Sequence, residues 1–307
     1  MANGILARLV GPATRAFFRE ARRAPGMTLF QAIHGYVYGR WPYLYIGIGT
    51  GEHPLARRLA PLVSRLARLR GRLRGERPPG QRITFADTYH GKVVPLEAAT
   101  RLVRVQEDIR LPQPEQVIPY ALARDIILQD PDHLVVMDCP CRASREHPCL
   151  PMDVCLIVGE PFASFVAEHH TGHARWITPQ EAVEILQAED ARGHAHHAFF
   201  KDAMLGRFYA ICNCCSCCCG AMHAHGHGTP MLASSGYVCR VDAGECVGCG
   251  ACVAACPFGA LEVVDGLARI DEAACMGCGV CAGRCPQEAL ALERAPERGM
   301  PLEIPSG

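Results

Sequence analysis

The cysteines of this sequence are concentrated in a few short runs, and the most regular runs lie near the C-terminus. Residues 246–257 read C-V-G-C-G-A-C-V-A-A-C-P, and residues 275–286 read C-M-G-C-G-V-C-A-G-R-C-P. Thiolates are the soft ligands that iron–sulfur clusters require, and three of them spaced three residues apart can surround a cluster from one tight loop. Zinc sites usually offer cysteine pairs instead of triplets followed by Cys-Pro. The spacing therefore predicts two iron–sulfur clusters.

Residues 236–294 resemble the two-[4Fe–4S] bacterial ferredoxins, in which the fourth cysteine of each run ligates the cluster of the other run. The resemblance implies that the first cluster is held by Cys246, Cys249, Cys252 and Cys285. It implies that the second cluster is held by Cys275, Cys278, Cys281 and Cys256. Cys239, just ahead of these runs, has no evident partner.

The elements around these cysteines are repeated. Each cysteine of the first run recurs 29 positions later, as does the proline that follows it. A fixed offset indicates duplicated supersecondary units. Asp265-Gly266 between two apolar segments predicts a hairpin. We expect a small α+β module with a short helix after each Cys-Pro, whose folding is coupled to cluster insertion because its apolar core is small.

A second group of ten cysteines follows segments that read as strands in the middle of the chain. Its members are Cys139, Cys141, Cys149, Cys155, Cys212, Cys214, Cys215, Cys217, Cys218 and Cys219. Neighbouring side chains on an extended backbone point to opposite sides, so one cubane cannot use all six cysteines of 212–219. There are two iron–sulfur alternatives. The ten thiols could bind two cubanes and leave two thiols unligated, or they could bind one cubane and one irregular cluster. A zinc site or buried structural thiols are the others.

The middle of the chain also resembles known cluster proteins. Residues 81–294 are similar to an uncharacterised family of 4Fe–4S proteins from anaerobes, which shares the C-P-C-R, I-C-N-C-C-x-C-C-C and double ferredoxin runs. That resemblance implies cluster binding but no reaction. Cys218-Cys219-Gly220 resembles the Cys-Cys-Gly motif of heterodisulfide-reductase-type subunits, which hold non-cubane clusters.

Helix-like and strand-like segments alternate around the mid-chain cysteines, which predicts an α+β protein with an α/β-type middle domain at 81–235. Thr178 begins a helix as its N-cap, with Glu181 three residues later. The predicted helices are 96–103, 119–129 and 179–191, and the predicted strands are 105–109, 134–137, 155–158 and 208–211. The remaining predicted regions are an N-terminal region at 1–80, the ferredoxin domain at 236–294 and a tail at 295–307.

The N-terminal region is strongly basic. Residues 1–80 contain 14 arginines, no lysine and 3 acidic residues, an excess of 14 − 3 = +11 that the rest of the chain balances. Six leucines between Leu55 and Leu73 follow helical spacing, and Met27–Gly51 is rich in Tyr and Trp. An amphipathic, basic, aromatic segment suits an anionic membrane surface. The alternatives are a partner subunit with an acidic face and packing against the protein's own core.

Two histidine groups accompany the cysteines. His194, His196 and His197 precede the second cysteine run, and His223, His225 and His227 follow it. Imidazole can ligate iron or carry protons. The second group lies in a Gly-rich stretch, which predicts a solvated loop. His90 is a weaker candidate, as a proton donor near a substrate.

These observations predict an electron-transfer protein that relays single electrons between the ferredoxin module and a second cysteine-held centre. Its cofactors would be two [4Fe–4S] clusters and one or two further iron–sulfur clusters, and its partner a redox protein or complex. One alternative is an oxidoreductase whose active site is the Cys212–Cys219 centre, with a quinone, disulfide or other small acceptor. Another is a redox sensor or assembly factor. We assign no catalytic residue.

Composition sets the expected surroundings of the protein. The formal net charge is zero, so nothing argues for nucleic acid as a partner. Nineteen cysteines in a long chain indicate metal binding in a reducing compartment. We expect a cytoplasmic protein, with the inner face of the membrane as a candidate peripheral location.

Overall fold

The computed structural model of the chain describes residues 11–56, 58, 89–115 and 124–302. The predicted leucine stripe beyond Leu55 and the predicted linker at 78–80 lie outside the described residues. The principal helices are α1 (Pro12–Arg23), α2 (Leu29–Arg40), α3 (Pro42–Gly49), α4 (Leu96–Val103), α5 (Pro140–Ala143), α6 (Phe162–His169), α7 (Pro179–Ala191), α8 (Gly220–Gly226), α9 (Ala251–Ala255) and α10 (Val280–Gly283). The strands are β1 (Tyr89–Val94), β2 (Ile109–Glu115), β3 (Arg124–Leu128), β4 (Leu134–Asp138), β5 (Asp153–Val158), β6 (Ala174–Ile177), β7 (Ala195–Lys201), β8 (Arg207–Cys214), β9 (Leu232–Ala233), β10 (Tyr237–Val241), β11 (Leu261–Val264), β12 (Leu267–Ile270) and β13 (Leu290–Arg294).

A seven-stranded sheet, in the order β6-β4-β5-β8-β7-β1-β9, forms the centre of the structure. Its neighbouring strands run antiparallel, except that β9 runs parallel to β1. The middle of the chain is therefore α+β instead of the expected α/β type, because α/β sheets are built mainly from parallel strands.

The two faces of this sheet bury different sets of side chains. Along β4, Leu134 and Val136 point to a core that they share with α4 and α7, whereas Val135 and Met137 point to the opposite face. The second core also contains residues of α1, α2 and α6, and it contains cysteines. Because side chains alternate along a strand, the period-two pattern determines which face each cysteine enters.

Most of the predicted elements of the middle region are confirmed. A helix spans Leu96–Val103, and α7 begins after Thr178, whose side chain accepts a hydrogen bond from the Glu181 backbone N–H at 3.2 Å. The strands predicted at 134–137, 155–158 and 208–211 are present, each slightly longer than predicted. The extended segment predicted at 105–109 is shifted toward the C-terminus, since β2 begins at Ile109.

The helix predicted over residues 119–129 is wrong. Arg124–Leu128 is a strand, β3, which pairs antiparallel with β2, and residues 116–123 lie outside the described residues. The apolar residues at 121, 122, 126 and 127 fit a helical spacing, but so short a segment cannot distinguish helix from strand. The β-branched pair Ile126-Ile127 favours the strand.

The N-terminal helices pack on the cysteine-bearing face of the sheet. Phe17 of α1 lies 5.3 Å from Phe165 of α6 between ring centroids, and the hydroxyl of Tyr38 in α2 is 2.8 Å from that of Tyr209 in β8. Thr28 and Gln31 form a capping box at the start of α2. Within the described ranges, no helix is long and apolar enough to cross a membrane.

The C-terminal region is a small α+β unit of two strand pairs, β10 with β13 and β11 with β12. The Asp265-Gly266 hairpin is confirmed, and both residues have positive φ (53° and 77°), as a two-residue type I′ turn requires. The helices α9 and α10 end before the Cys-Pro pairs, so the expectation of a helix after each pair is wrong. A residue that precedes proline is disfavoured in the α region, which accounts for the ends of both helices.

A buried ion pair anchors the loop that carries Cys139 and Cys141. Arg142 Nη2 lies 2.5 Å from Glu189 Oε2, and both side chains are at most 1% exposed. The same Arg142 nitrogen donates to the carbonyl of Asn213 in β8 at 3.3 Å. His194 Nδ1 completes the group at 2.7 Å from Glu189 Oε2. Helix α7 thus fixes the loop after β4 against the end of β8, where the second cysteine run starts.

Replacing the acid of this pair should destabilise the protein strongly. Glu189→Gln leaves a buried guanidinium without its counter-charge, which costs about 3–5 kcal/mol in the free energy of unfolding. Anaerobic urea unfolding followed by circular dichroism measures the change. The matched control is Arg175→Gln, which breaks the exposed pair with Glu181 and should cost less than about 1 kcal/mol. Equal effects of the two substitutions would contradict a structural role of the buried pair.

The same ion pair gives a pH dependence with a definite sign. Burial alone would raise the pKa of Glu189, but hydrogen bonds from His194 and Arg142 lower that pKa below its ordinary value of 4.5. The stabilisation is therefore complete above the ordinary carboxyl pKa and is lost as the pH falls through the lowered folded-state value. The Glu189→Gln protein should lack this component of acid sensitivity.

Candidate metal centres

The cysteines of the C-terminal region line two cavities. The first cavity is bordered by Cys246, Cys249, Cys252 and Cys285. The second is bordered by Cys256, Cys275, Cys278, Cys281 and Cys239. The structure thus brings the fourth cysteine of each run to the cavity of the other run, which is the crossed arrangement that the ferredoxin resemblance implies. We refer to these as the outer and inner cavities, since Cys249 is exposed whereas Cys275, Cys278 and Cys281 are buried.

Backbone groups around both cavities point toward the sulfur atoms. The N–H groups of Ala268 and Ala260 donate to the Sγ atoms of Cys246 and Cys256 at 3.4 and 3.3 Å. Gly277 has a φ of +64°, and a Cβ at this position would lie 2.2 Å from the carbonyl oxygen of Tyr237. Only glycine allows the loop to pass so close to β10. Hydrogen bonds to the sulfurs and restricted solvent are the means by which a protein tunes a cluster's potential.

Cys239 differs from the other cysteines of the inner cavity. It lies on β10, paired with Leu292 of β13, and its sulfur is 3.5 Å from that of Cys281. The hydrogen bond between these two thiols lowers the pKa of Cys281. Sequence reasoning left Cys239 unassigned, and the structure places it beside the inner cavity as a fifth thiol.

The ten mid-chain cysteines separate into a group of six and a group of four. Within the six, Cys155 Sγ and Cys212 Sγ are 3.6 Å apart, across directly paired positions of β5 and β8. Cys139, Cys141, Cys214 and Cys219 border one cavity together with Cys212. We call this set the six-thiol group; its members are Cys139, Cys141, Cys155, Cys212, Cys214 and Cys219. We call Cys149, Cys215, Cys217 and Cys218 the four-thiol group, whose sulfur atoms lie within 4.8 Å of one another.

The end of β8 explains this division. Cys212 and Cys214 are two residues apart on the strand and so point to the same face, toward Cys155. The strand ends at Cys214, and the following turn directs Cys217 and Cys218 toward Cys149. Cys219 then forms the N-cap of α8 and faces the six-thiol group again.

The six-thiol group is suited to a metal centre by its chemistry. The neighbouring thiols Cys155 and Cys214 lower the pKa of Cys212, and those of Cys141 and Cys214 lower the pKa of Cys219 to about 5. The neighbouring thiol of Cys141, together with burial, raises the pKa of Cys139. Metal binding to such a set would be coupled to the release of thiol protons.

An apolar cavity adjoins the six-thiol group on the side of the N-terminal helices. Tyr38, Ile46, Met204 and Tyr209 line it together with several of the thiols. Lys201 lies over the Tyr38 ring, 4.4 Å from its centroid, and burial lowers the pKa of this lysine to about 8. An apolar pocket beside the metal centre is one of the features that the oxidoreductase alternative requires.

The histidines are placed differently from one another. His196 and His197 lie buried on β7, His194 contacts Glu189, and His90 is buried against the ring of Phe200 at 5.6 Å. The expectation of a solvated loop at 223–227 is wrong for His223 and His225, which lie partly buried on α8. His223 Nε2 is 3.0 Å from the carbonyl oxygen of Cys217.

His197 lies between the inner cavity and the six-thiol group. It is paired with Cys212 across β7 and β8, and neither ring nitrogen has a hydrogen-bond partner among the described residues. Its ring centroid is 6.3 Å from that of Phe258, which lines the inner cavity, and 6.1 Å from that of Phe199, which borders the six-thiol group. Sequence reasoning named His197 but missed this position, because the pairing of β7 with β8 is not visible in a local pattern.

Comparison with known proteins bears on the C-terminal region. Residues 245–289 match the family model described as a 4Fe-4S dicluster domain. Neither the curated proteins nor the solved structures provide a match. The match spans both cysteine runs of the crossed arrangement and does not extend to the mid-chain cysteines. The chain therefore carries a ferredoxin-type 4Fe–4S domain at its C-terminal end.

Proposed function

We propose that this protein transfers single electrons between the two clusters of its ferredoxin-type domain and an iron–sulfur centre held by the six-thiol group. The observation that carries the proposal is that the inner cavity and the six thiols share one core. Met276 and Cys278 of the inner cavity pack in the same apolar cluster as Cys214 and Cys219. Met231 and Leu232 of the preceding segment belong to this cluster as well.

The proposed ligands of the two ferredoxin clusters follow the lining of the cavities. Cys246, Cys249, Cys252 and Cys285 would hold the outer cluster. Cys256, Cys275, Cys278 and Cys281 would hold the inner cluster, with Cys239 as an additional thiol that binds no iron. When bound, each iron–sulfur cluster supplies the chemistry of accepting and releasing one electron.

The protein's own residues would connect the two centres. Ser235 Oγ donates to the carbonyl of Gly277 at 2.7 Å, which holds the inner cysteine loop against the sheet. Phe258, His197 and Phe199 fill the space between the inner cavity and the six thiols. Tight packing excludes water there and keeps the separation of the centres fixed.

A redox partner would reach the outer cluster. Cys249 is exposed, and the adjacent Val247 is 64% exposed, so this loop offers an apolar surface next to the cluster ligands. The inner cluster would lie between the outer cluster and the central sheet. Electrons would therefore pass from the partner to the outer cluster, the inner cluster and the six-thiol centre, or in the reverse order. The resemblance of residues 81–294 to an uncharacterised 4Fe–4S family agrees with this proposal but stays a prediction.

Iron content and electron paramagnetic resonance test the six-thiol centre. Protein purified without oxygen should carry more than about eight irons per chain, since two cubanes supply eight. Cys212→Ala should lower the content to about eight and leave the signals of the ferredoxin clusters. In the reduced wild-type protein, magnetic coupling to the six-thiol centre should broaden the inner-cluster signal, and the substitution should remove this broadening. About eight irons in the wild type, or zinc in place of the additional iron, would exclude the proposed relay.

A paired substitution tests the ligand assignment of the ferredoxin domain. Cys249→Ser should destroy the outer cluster, with the loss of up to about four irons and a less stable domain, because folding depends on the metal. Cys239→Ser is the matched control, and iron content and the reduced-state spectrum should stay unchanged. Iron loss in the control, or full iron content in Cys249→Ser, would show that the assignment is wrong.

A further inference from the structure

The four-thiol group is a separate set of sulfur atoms at the protein surface. All four sulfurs lie within 4.8 Å of one another, with Cys149 Sγ 2.9 Å from Cys217 Sγ and Cys217 Sγ 3.7 Å from Cys218 Sγ. Cys149 comes from the loop between α5 and β5, and the other three come from the turn after β8. Cys217 is exposed, whereas Cys215 and Cys218 are buried.

The spacing of these sulfurs matches one metal ion. A tetrahedral ion with metal–sulfur bonds of about 2.3 Å holds its four sulfurs about 3.8 Å apart. In a cubane cluster each thiolate binds a different iron at a different corner, so the four ligand sulfurs must stand farther apart than around a single ion. The sulfur–sulfur distances in the four-thiol group lie on both sides of this value, and none exceeds 4.8 Å, so the group is more compact than a cubane requires.

The surroundings of the four thiols support such a site. Arg145 Nη2 donates to the carbonyl of Cys218 at 3.1 Å, and Arg145 Nη1 contacts Glu52 of the N-terminal region at 2.7 Å. His223 Nε2 lies close to the carbonyl oxygen of Cys217. These contacts fix the ligand turn from outside, as the outer hydrogen bonds of metal sites commonly do.

We propose that Cys149, Cys215, Cys217 and Cys218 bind a single tetrahedral metal ion, zinc or ferrous iron, distinct from the iron–sulfur clusters. A set of four thiolates selects these thiophilic ions over magnesium or calcium. The bound ion would link the turn after β8 to the loop before β5, next to the six-thiol group. It stands independently of the electron relay, because it shares no cysteine with the six-thiol group.

Metal analysis of the full-length protein tests this site. Cys217→Ser, at an exposed position, should lose one equivalent of zinc or iron and retain the iron and spectra of the clusters. Protein produced with cobalt in the medium should show tetrahedral cobalt–thiolate absorption bands that the variant lacks. Cys239→Ser is the control and should keep both features.

Other results would overturn the single-ion site. If Cys217→Ser lost about four irons and also lost a cubane signal, the four thiols would hold a cluster instead of a single ion. Unchanged metal content in Cys217→Ser and Cys149→Ser would mean that they hold nothing. The Cys212→Ala experiment reports on the relay alone, so failures of the two proposals are distinguishable.

A different observation concerns the outer face of α2 and α3. On α2 the exposed apolar residues follow one side of the helix, with Leu29 at 73%, Phe30 at 77% and Ile33 at 48% exposed. Further exposed apolar residues follow along the same stretch of chain: Val37, Trp41, Leu44, Ile48 and Leu55. The exposed apolar residues elsewhere in the described ranges are scattered, whereas these eight fall within one short stretch of helices. Such a concentration of exposed apolar side chains in two successive helices indicates a contact surface.

The inner faces of the same helices are also apolar. Tyr38 and Ala32 of α2 are buried, and Pro42 and Ile46 of α3 line the cavity beside the six thiols. A helix that is apolar on all sides is normally covered on all sides. The outer face of α2 and α3 therefore needs an apolar covering.

The charge of the N-terminal region indicates what covers the outer face of α2 and α3. Residues 1–80 carry 14 arginines and 3 acidic residues, and eight of the arginines follow Trp41 in this stretch. Arginine attracts anionic lipid headgroups, and tryptophan and tyrosine favour the boundary between membrane and water. We infer that the outer face of α2 and α3 lies on an anionic bilayer, with Phe30, Ile33 and Trp41 in the headgroup region.

Vesicle binding by the full-length protein tests this surface. The protein should float with vesicles that contain phosphatidylglycerol and much less with pure phosphatidylcholine vesicles. In a Trp176→Phe background, which leaves Trp41 as the only tryptophan, binding should shift the fluorescence to the blue. Phe30→Glu with Ile33→Glu should weaken binding at least about tenfold. Met300→Glu, at a residue that is 58% exposed, is the control and should bind as the wild type does.

Two outcomes would overturn the membrane surface. One is a wild-type protein that does not bind phosphatidylglycerol vesicles. The other is a protein that self-associates in sedimentation experiments and becomes monomeric with Phe30→Glu and Ile33→Glu, while vesicle binding is unchanged. In that case the patch is an interface between copies of this chain.

Discussion

The burial of many thiols close to one another is the constraint on which this structure depends. Six sulfur atoms meet on one face of the central sheet, and four more meet just outside it. Closely packed thiols form hydrogen bonds with one another that keep some of them protonated. A buried thiolate without a counter-charge costs free energy. Arg142 is the buried cation beside the six-thiol group, and Glu189 already neutralises it. The proposed metal centre would resolve this conflict, and it would account for the convergence of β5, β8 and two loops at this point.

The same constraint explains the position of the ferredoxin-type domain. A cubane-binding module needs little core of its own when its ligands are saturated by metal. The apolar side chains of its inner loop are then free to pack against the sheet. Met276 and Cys278 do so, and they extend the large core of the middle region. The two parts of the chain therefore share apolar packing at the point where their proposed centres are nearest.

The features that could be predicted from the sequence are those with local signals. The cysteine runs, the Asp265-Gly266 hairpin and the Thr178 cap each depend on residues within a few positions of one another. The division of the mid-chain thiols could not be predicted, because it depends on the pairing of Cys155 with Cys212 across two strands. The position of His197 depends on the pairing of β7 with β8 in the same way. The strand at Arg124–Leu128 was missed because its apolar spacing also fits a helix.

The difference in exposure between the outer and inner cavities has a consequence for assembly. The inner cysteine loop is closed in by the central sheet, whereas the outer loop meets solvent at Cys249. A delivery protein that inserts preformed clusters can reach the inner ligands only before the C-terminal domain docks on the sheet. A preformed cluster for the inner position would therefore have to be inserted before docking, whereas the outer position would stay accessible to loading and repair in the folded protein.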